Sequence, residues 1–325
     1  MKNTNLLMMF MLCVTCMTNF GCKKNSANDD YGDPGVETPT IVSTKEAFYD
    51  SSLYIEATFE DESKMYFRLI DDATAEVVNS EAFSNEPYMY RGEITVPSHF
   101  IHMNHSYTVI GIGHGAFGAR EYWNYYLREI HLPNTIEYLN GFYNCENLME
   151  IHIPQSVKEI HSVAFFSSGL TGELIIPNSV ITVGNSAFTG TNITSVTLGN
   201  SLNTIGKDAF RGCDFTEVVI PNSVTTIEDG AFGGYDDFYG NLGFKIKSLT
   251  IGSSVTNIGK TAFSCNDSII VTCLAEFPPS LNQYAFMNEN WDIIQNGTLC
   301  VPSQSIQYYM NSEWRYYFRH FTAIQ

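Results

Sequence analysis

The chain has 325 residues, 44% of them hydrophobic and 14% aromatic, which is ample for a folded core and rules out a disordered coil. It carries 17 basic against 35 acidic residues, a formal net charge of −18. That charge repels phosphate backbones and anionic lipid surfaces, and with no Lys/Arg cluster to offset it locally the expected partners include no nucleic acid.

The first predicted element is a targeting segment. Lys2 gives a short positive region, and Leu6 to Met17 form an apolar run too short to span a bilayer comfortably, so residues 1–21 are expected to be a cleaved signal peptide. Asn19-Phe20-Gly21-Cys22 resembles a lipobox, in which a small residue precedes the cysteine that receives the lipid. Gly21 and Cys22 fit; Asn19 stands where Leu is usual, which leaves cleavage by the ordinary secretory peptidase open. Residues 22–42, rich in Asp, Gly, Pro and Asn, have almost nothing apolar to bury and read as a solvated tether. A lipid on Cys22 would anchor the chain to a bacterial envelope, at the outer membrane, without spanning it. Residues 43–90 alternate apolar and polar positions and are rich in Tyr and Phe, a β-strand pattern.

Internal repetition dominates residues 91–291. An apolar-x-apolar-Pro or Gly segment followed by Ser/Thr and an aliphatic residue recurs as REIHLPNTI (128–136), MEIHIPQSV (149–157), GELIIPNSV (172–180), TSVTLGNSL (194–202), TEVVIPNSV (216–224) and KSLTIGSSV (247–255). A second motif follows each and pairs an aliphatic residue with Ala-Phe, as in IHSVAF (160–165), VGNSAF (183–188), IGKDAF (205–210), IEDGAF (227–232) and IGKTAF (258–263). The Phe positions 117, 142, 165, 188, 210, 232, 263 and 286 are 22 to 25 residues apart, with one interval of 31. One such unit cannot bury its apolar face alone, so the pattern predicts a mostly β, right-handed solenoid with about 22–23 residues per repeat, one parallel strand per unit and stacked coils sharing a core. The Phe residues should form an internal ladder, each contributing about 1.5–3 kcal/mol by burial. Phe188→Ala, mid-rod, is expected to cost about 3–5 kcal/mol, and Phe286→Ala less if the end coils fray. NGFYNC (140–145) departs from the pattern: Leu139 stands only three residues before Phe142, which demands a tighter turn.

These motifs resemble the leucine-rich repeats of BspA-type bacterial surface proteins. GEITVPSHF (92–100) leading into YTVIGIGHGAF resembles the family's first repeat, and TLCVPSQSIQYYMNSEWRYYFRHF (298–321) its short helical C-terminal cap, here assigned to residues 292–325. On the same resemblance, residues 43–90 would be the small β-rich N-terminal cap. The resemblance implies display at the cell surface and adhesion or binding to a protein or glycan partner; periplasmic display remains the other possibility, because the charges after Cys22 are a weak sorting cue. The alternative role is structural, an envelope component that self-assembles or scaffolds other envelope proteins.

Within this frame the cysteines read as small core-edge residues: Cys145 and Cys213 sit three residues after a repeat Phe, and five cysteines beyond Cys22 make an odd count. GIGHGA (111–116) imitates a dinucleotide fingerprint yet falls in register with the other turns, and no cofactor motif stands elsewhere. No Ser-His-Asp or comparable cluster singles itself out, so no enzyme is expected.

Two features remain as candidate sites. Side-chain alternation predicts two outward columns, one with Glu129, Glu150, Glu173, Ser195, Glu217 and Ser248, the other with His131, His152, Ile175, Thr197, Val219 and Thr250. The plain reading is a solvated polar face; the sharper one is a weak divalent-metal chelate of Glu129, His131, Glu150 and His152. The second feature is a pair of insertions after Ala-Phe turns. One carries Tyr122, Trp123, Tyr125 and Tyr126; the other, GGYDDFYGNLGFKIK (233–247), carries Tyr235, Phe238, Tyr239 and Phe244. Either these rings fold back on the solenoid, or they form an exposed edge suited to stacking on sugars or anchoring a protein.

Overall fold

Alternation from Ile41 onward builds an antiparallel meander in which β1 (Ile41–Tyr49), β2 (Ser52–Phe59), β3 (Lys64–Leu69) and β4 (Thr74–Val78) pair in sequence order. The two-residue period buries Ile55, Ala57 and Phe59 on β2 and Met65 and Phe67 on β3. The computed structural model describes residues 39–49, 51–80, 90–118, 123–237, 240–242, 245–288, 292–294 and 296–324. The expected signal peptide, Cys22 and most of the tether lie outside these residues.

The chain continues through β5 (Gly92–Thr95), β6 (His99–His102) and β7 (His105–Ile112). β6 and β7 form a hairpin whose two central residues, Met103 and Asn104, have φ of 46° and 66°, the left-handed turn that matches strand twist. β4 runs parallel to β7, and β7 runs parallel to Tyr138–Leu139. The meander is thus the first part of the sheet that runs along the repeats.

That sheet is built from seven two-residue strands, one per coil: Tyr138–Leu139, Glu159–Ile160, Thr182–Val183, Thr204–Ile205, Thr226–Ile227, Asn257–Ile258 and Ser280–Leu281. Together with the meander and the β6–β7 hairpin they make 13 strands. The second residue of each points inward and is buried.

The repeat pattern predicts one strand per unit, at the IHIP-like segments; the structure has two strand positions per coil, and the IHIP-like positions give the shorter ladders. β5 pairs with β8 (Leu127–His131), Thr171–Ile175 with Asn192–Thr197, and Glu217–Val219 begins a run through Ile246–Ile251, Phe263–Cys273, Gly297–Pro302 and Phe318–Ile324. Register shifts after Gly92, Gly172 and Ile246 disturb these ladders, and Met149–Pro154 belongs to no strand. Each two-residue strand is followed by a turn that ends in Ala-Phe, or in Gly141-Phe142 after Tyr138–Leu139.

The turn itself forms a third coil-to-coil ladder. The amide N–H of each Phe from Phe117 to Phe263 donates to the carbonyl of the next coil's Ala, or of Gly141 in the Phe142 coil, at 2.7 to 2.9 Å. Such close approach needs a small residue before Phe, and a side chain on Gly141 would collide with Ile112 and Ala116. The residue two before Phe takes the left-handed conformation in seven coils, at Gly115, Val163, Ser186, Asp208, Gly230, Thr261 and Tyr284. The short NGFYNC turn lacks that residue, and Phe142 still stacks in line at 5.2 and 4.8 Å from its neighbours.

The eight Phe rings stack as predicted, with centroids 4.8 to 5.5 Å apart and planes within 15° of parallel. Both ends of the stack are closed by other aromatics. Tyr90 tilts over Phe117 at 4.8 Å, while Trp314, Tyr317 and Phe318 surround Phe286 at 5.3 to 5.7 Å. The C-terminal cap has one short helix, Ile306–Met310, and buries Tyr309 and Trp314, whose polar ends donate to the carbonyls of Ala275 and Pro279. The cap packs directly on Phe286.

Candidate functional site

Among the described residues, the first insertion presents Trp123, Tyr125 and Tyr126 to solvent. Buried Asn124 holds it in place: Nδ2 donates to the carbonyls of Tyr90 and Phe117, and Oδ1 accepts from the amides of Tyr126 and Leu127. This one amide ties the insertion to the ring that closes the Phe stack. Around it Trp123, Tyr125 and Tyr126 remain 43%, 51% and 44% exposed, so these three rings do not fold back onto the solenoid. Trp123 and Tyr125 lie 6.2 Å apart with planes 14° from parallel, and the Arg91 guanidinium sits 3.9 Å over the Tyr126 ring. Asn147, from the next coil, donates to the Tyr125 carbonyl and steadies the outer part of the insertion.

The strand pair that begins beside this shelf carries the second feature. β5 and β8 place Glu93 opposite Glu129 and Thr95 opposite His131. The imidazole Nε2 of His131 lies 2.9 Å from Glu93 Oε1 and 3.5 Å from Glu129 Oε1. Leu127 and Ile130 are buried on the inward side of β8, which fixes the strand and the outward direction of Glu129 and His131. Glu150 and His152 do not join this cluster. They are exposed residues of the Met149–Pro154 segment, which belongs to no strand, so the spacing that a β-sheet would impose is missing there. The third group comes from the preceding coil, as Glu93.

The predicted columns otherwise hold their register, with Glu173 opposite Ser195, Glu217 opposite Ser248, Ile175 opposite Thr197 and Val219 opposite Thr250. The second insertion enters a hairpin of Tyr235–Asp237 and Gly240–Leu242. Tyr122, Phe238, Tyr239 and Phe244 lie outside the described residues, and Tyr235 is described by its backbone alone.

Sequence reasoning missed Glu93, Arg91 and Asn124. Glu93 was accessible to it, because GEITVP aligns with REIHLP and puts Glu93 above Glu129 in the same column. Nothing in Trp-Asn-Tyr-Tyr marks Asn124 as a buried anchor.

The glycines of GIGHGA have a packing cause. A side chain on Gly111 would overlap the Tyr138 ring, and one on Gly113 would meet the Glu76 carboxylate. Glu76 is buried, ion-paired with Arg68, and accepts the Tyr138 hydroxyl at 2.7 Å, so this is the junction of the meander with the first repeats. Cys145, Cys213, Cys265, Cys273 and Cys300 are free thiols. Burial pushes the thiols of Cys145 and Cys265 up and that of Cys213 up to about 12, which makes them poor nucleophiles.

The family model described as BspA type Leucine rich repeat region matches this chain in six copies, over residues 112–239 and 238–312. Among solved structures the chain is similar to a leucine-rich repeat protein from Bacteroides ovatus ATCC 8483, at 16% identity over 81% of this chain and 76% of that one, with a TM-score of 0.44. It is also similar to a leucine rich cell surface protein from Faecalibacterium prausnitzii A2-165, at 18% identity over 80% and 93% of the two chains, with a TM-score of 0.40. No curated protein matches the chain. With its repeats matched from residue 112 to residue 312, the chain belongs to the BspA-type leucine-rich-repeat family.

Proposed function

We propose that this protein is a non-catalytic binding module, held at the bacterial outer membrane by a lipid on Cys22 and displayed at the cell surface, where it contacts a protein or glycan partner. The observation that carries the reading is the aromatic shelf: Trp123, Tyr125 and Tyr126 stay exposed while Asn124 anchors their backbone with four hydrogen bonds. Rigid aromatic rings bury a large area on contact and lose little entropy, which suits them to a sugar face or an apolar anchor. The guanidinium over Tyr126 adds a polar donor at the rim. The second insertion, with Tyr235, Phe238, Tyr239 and Phe244, would extend the contact edge.

The test is binding of the purified chain to arrays of host matrix proteins and glycans, beside a Trp123→Ala/Tyr125→Ala variant. Both side chains are surface groups, so the variant should melt within a few degrees of the parent. A partner captured by the parent and lost by the folded variant supports the reading; binding that survives in the variant moves the contact elsewhere. Cys22→Ser should release the protein from the membrane fraction if the lipid is the anchor.

A second reading, a scaffold that assembles with itself, draws on the terminal strand. Phe318–Ile324 pairs with Gly297–Pro302 and, among the described residues, stands last in its sheet, the position at which a strand of a second chain can add. Concentration-dependent association in sedimentation experiments would favour it.

A further inference from the structure

We infer that Glu93, Glu129 and His131 form a surface site for a borderline divalent cation of the zinc type. The inference starts from the strand register. Parallel pairing of β5 with β8 sets Glu93 directly opposite Glu129, and like charges facing each other across a ladder destabilise it unless a cation lies between them. Among the described residues, both carboxylates converge on the same group, the His131 imidazole. Arg91, the nearest cation in sequence to Glu93, is turned onto the Tyr126 ring.

The distances then identify the kind of ion. Zinc holds N and O ligands at about 2.0–2.2 Å, which in a tetrahedral shell places neighbouring ligand atoms about 3.3 Å apart. His131 Nε2 stands 2.9 and 3.5 Å from the two carboxylate oxygens, and all three ligand atoms lie within 4.8 Å of one another. The donor set is therefore already gathered at the spacing that a small divalent ion imposes, and seating it requires small rotations of two exposed side chains. Donor chemistry gives the same class: calcium and magnesium select all-oxygen shells, whereas one imidazole with two carboxylates suits zinc and its neighbours in the transition series. Three protein ligands on an outward face leave the remaining positions to water or to a group on a partner.

The experiment is calorimetric titration of the chelator-stripped full chain with zinc chloride. Alongside it, the His131 imidazole nitrogens are followed by NMR, and the variants Glu93→Gln, His131→Ala and Glu150→Gln are compared. All three substitutions are on the surface, and thermal melts check that each is folded. The expected result is one zinc per chain with a large shift of His131 Nε2. Affinity should fall roughly 10-fold or more in Glu93→Gln and His131→Ala, at least the loss seen for groups that only support a metal ligand, and stay unchanged in Glu150→Gln. No uptake by the parent, uptake that persists in His131→Ala, an unmoved Nε2 resonance, or a loss in Glu150→Gln equal to that in Glu93→Gln would each overturn the proposal.

Discussion

Replacing Phe188 by Ala tests whether the ring stack is what joins one coil to the next. Phe188 is fully buried and lies between Phe165 at 5.1 Å and Phe210 at 5.2 Å, with planes 3° and 4° from parallel. Burial of one Phe side chain contributes about 1.5–3 kcal/mol, and each ring pair adds about 0.5–1.5 kcal/mol beyond burial. The neighbouring rings cannot close the gap, because their backbones are fixed by the Phe-to-Ala hydrogen bonds on either side, so a cavity remains. The expected loss is about 3–5 kcal/mol. Denaturant titration followed by circular dichroism reads it directly, and Phe286→Ala is the comparison. Phe286 touches Phe263 and three rings of the cap, so its loss should equal or exceed that at Phe188. A loss at Phe188 below about 1.5 kcal/mol, less than burial alone supplies, would refute the view that the stack couples the coils.

Val163 is a β-branched residue at φ 57°, where Gly115 and Gly230 stand in other coils; Val163→Asn should raise stability by about 1 kcal/mol by removing left-handed strain, and an unchanged melting temperature would count against it. Asn124→Ala leaves two carbonyls and two amides without their partner, so it should cost about 1–3 kcal/mol and abolish shelf binding, measured by denaturation and by the array assay. Alkaline pH should weaken the fold. Burial keeps the thiols of Cys145, Cys213 and Cys265 neutral in the folded chain, whereas unfolding restores their ordinary ionisation near 9.0. The unfolded chain then binds fewer protons, so stability is full below about pH 9 and falls as pH rises towards 12. A denaturation midpoint that stays flat from about pH 8 to pH 11 would contradict this assignment.

Much of this protein is legible in its sequence because repetition makes each position an average over many coils. The Phe ladder, the Ala that precedes it and the Pro or Gly at strand ends follow from one rule: every unit must bury the same face against its neighbours. The outward columns follow from alternation. The residues that make the candidate surface were legible only in part, since they stand at the first coil and its insertion, where nothing is averaged. The aromatics of Trp123, Tyr125 and Tyr126 were visible as an interruption of the period, but their exposure was not, because it depends on where Asn124 finds backbone partners.

What the sequence determined by itself is thus the repeat, its inward-facing residues and the family. Three features needed the tertiary structure. The two-residue strands carry the long sheet, because the hydrogen-bonded turns at Ala-Phe, or at Gly141-Phe142, hold the coils together beside them while shifts disturb the IHIP-like ladders. Trp314, Tyr317 and Phe318 close the end of the ring stack, 28 or more residues beyond Phe286 in the chain. Glu93, rather than Glu150, meets His131, because β5 pairs with β8 while Met149–Pro154 joins no strand. Each of these depends on which backbones lie side by side, and side-chain pattern alone does not specify that.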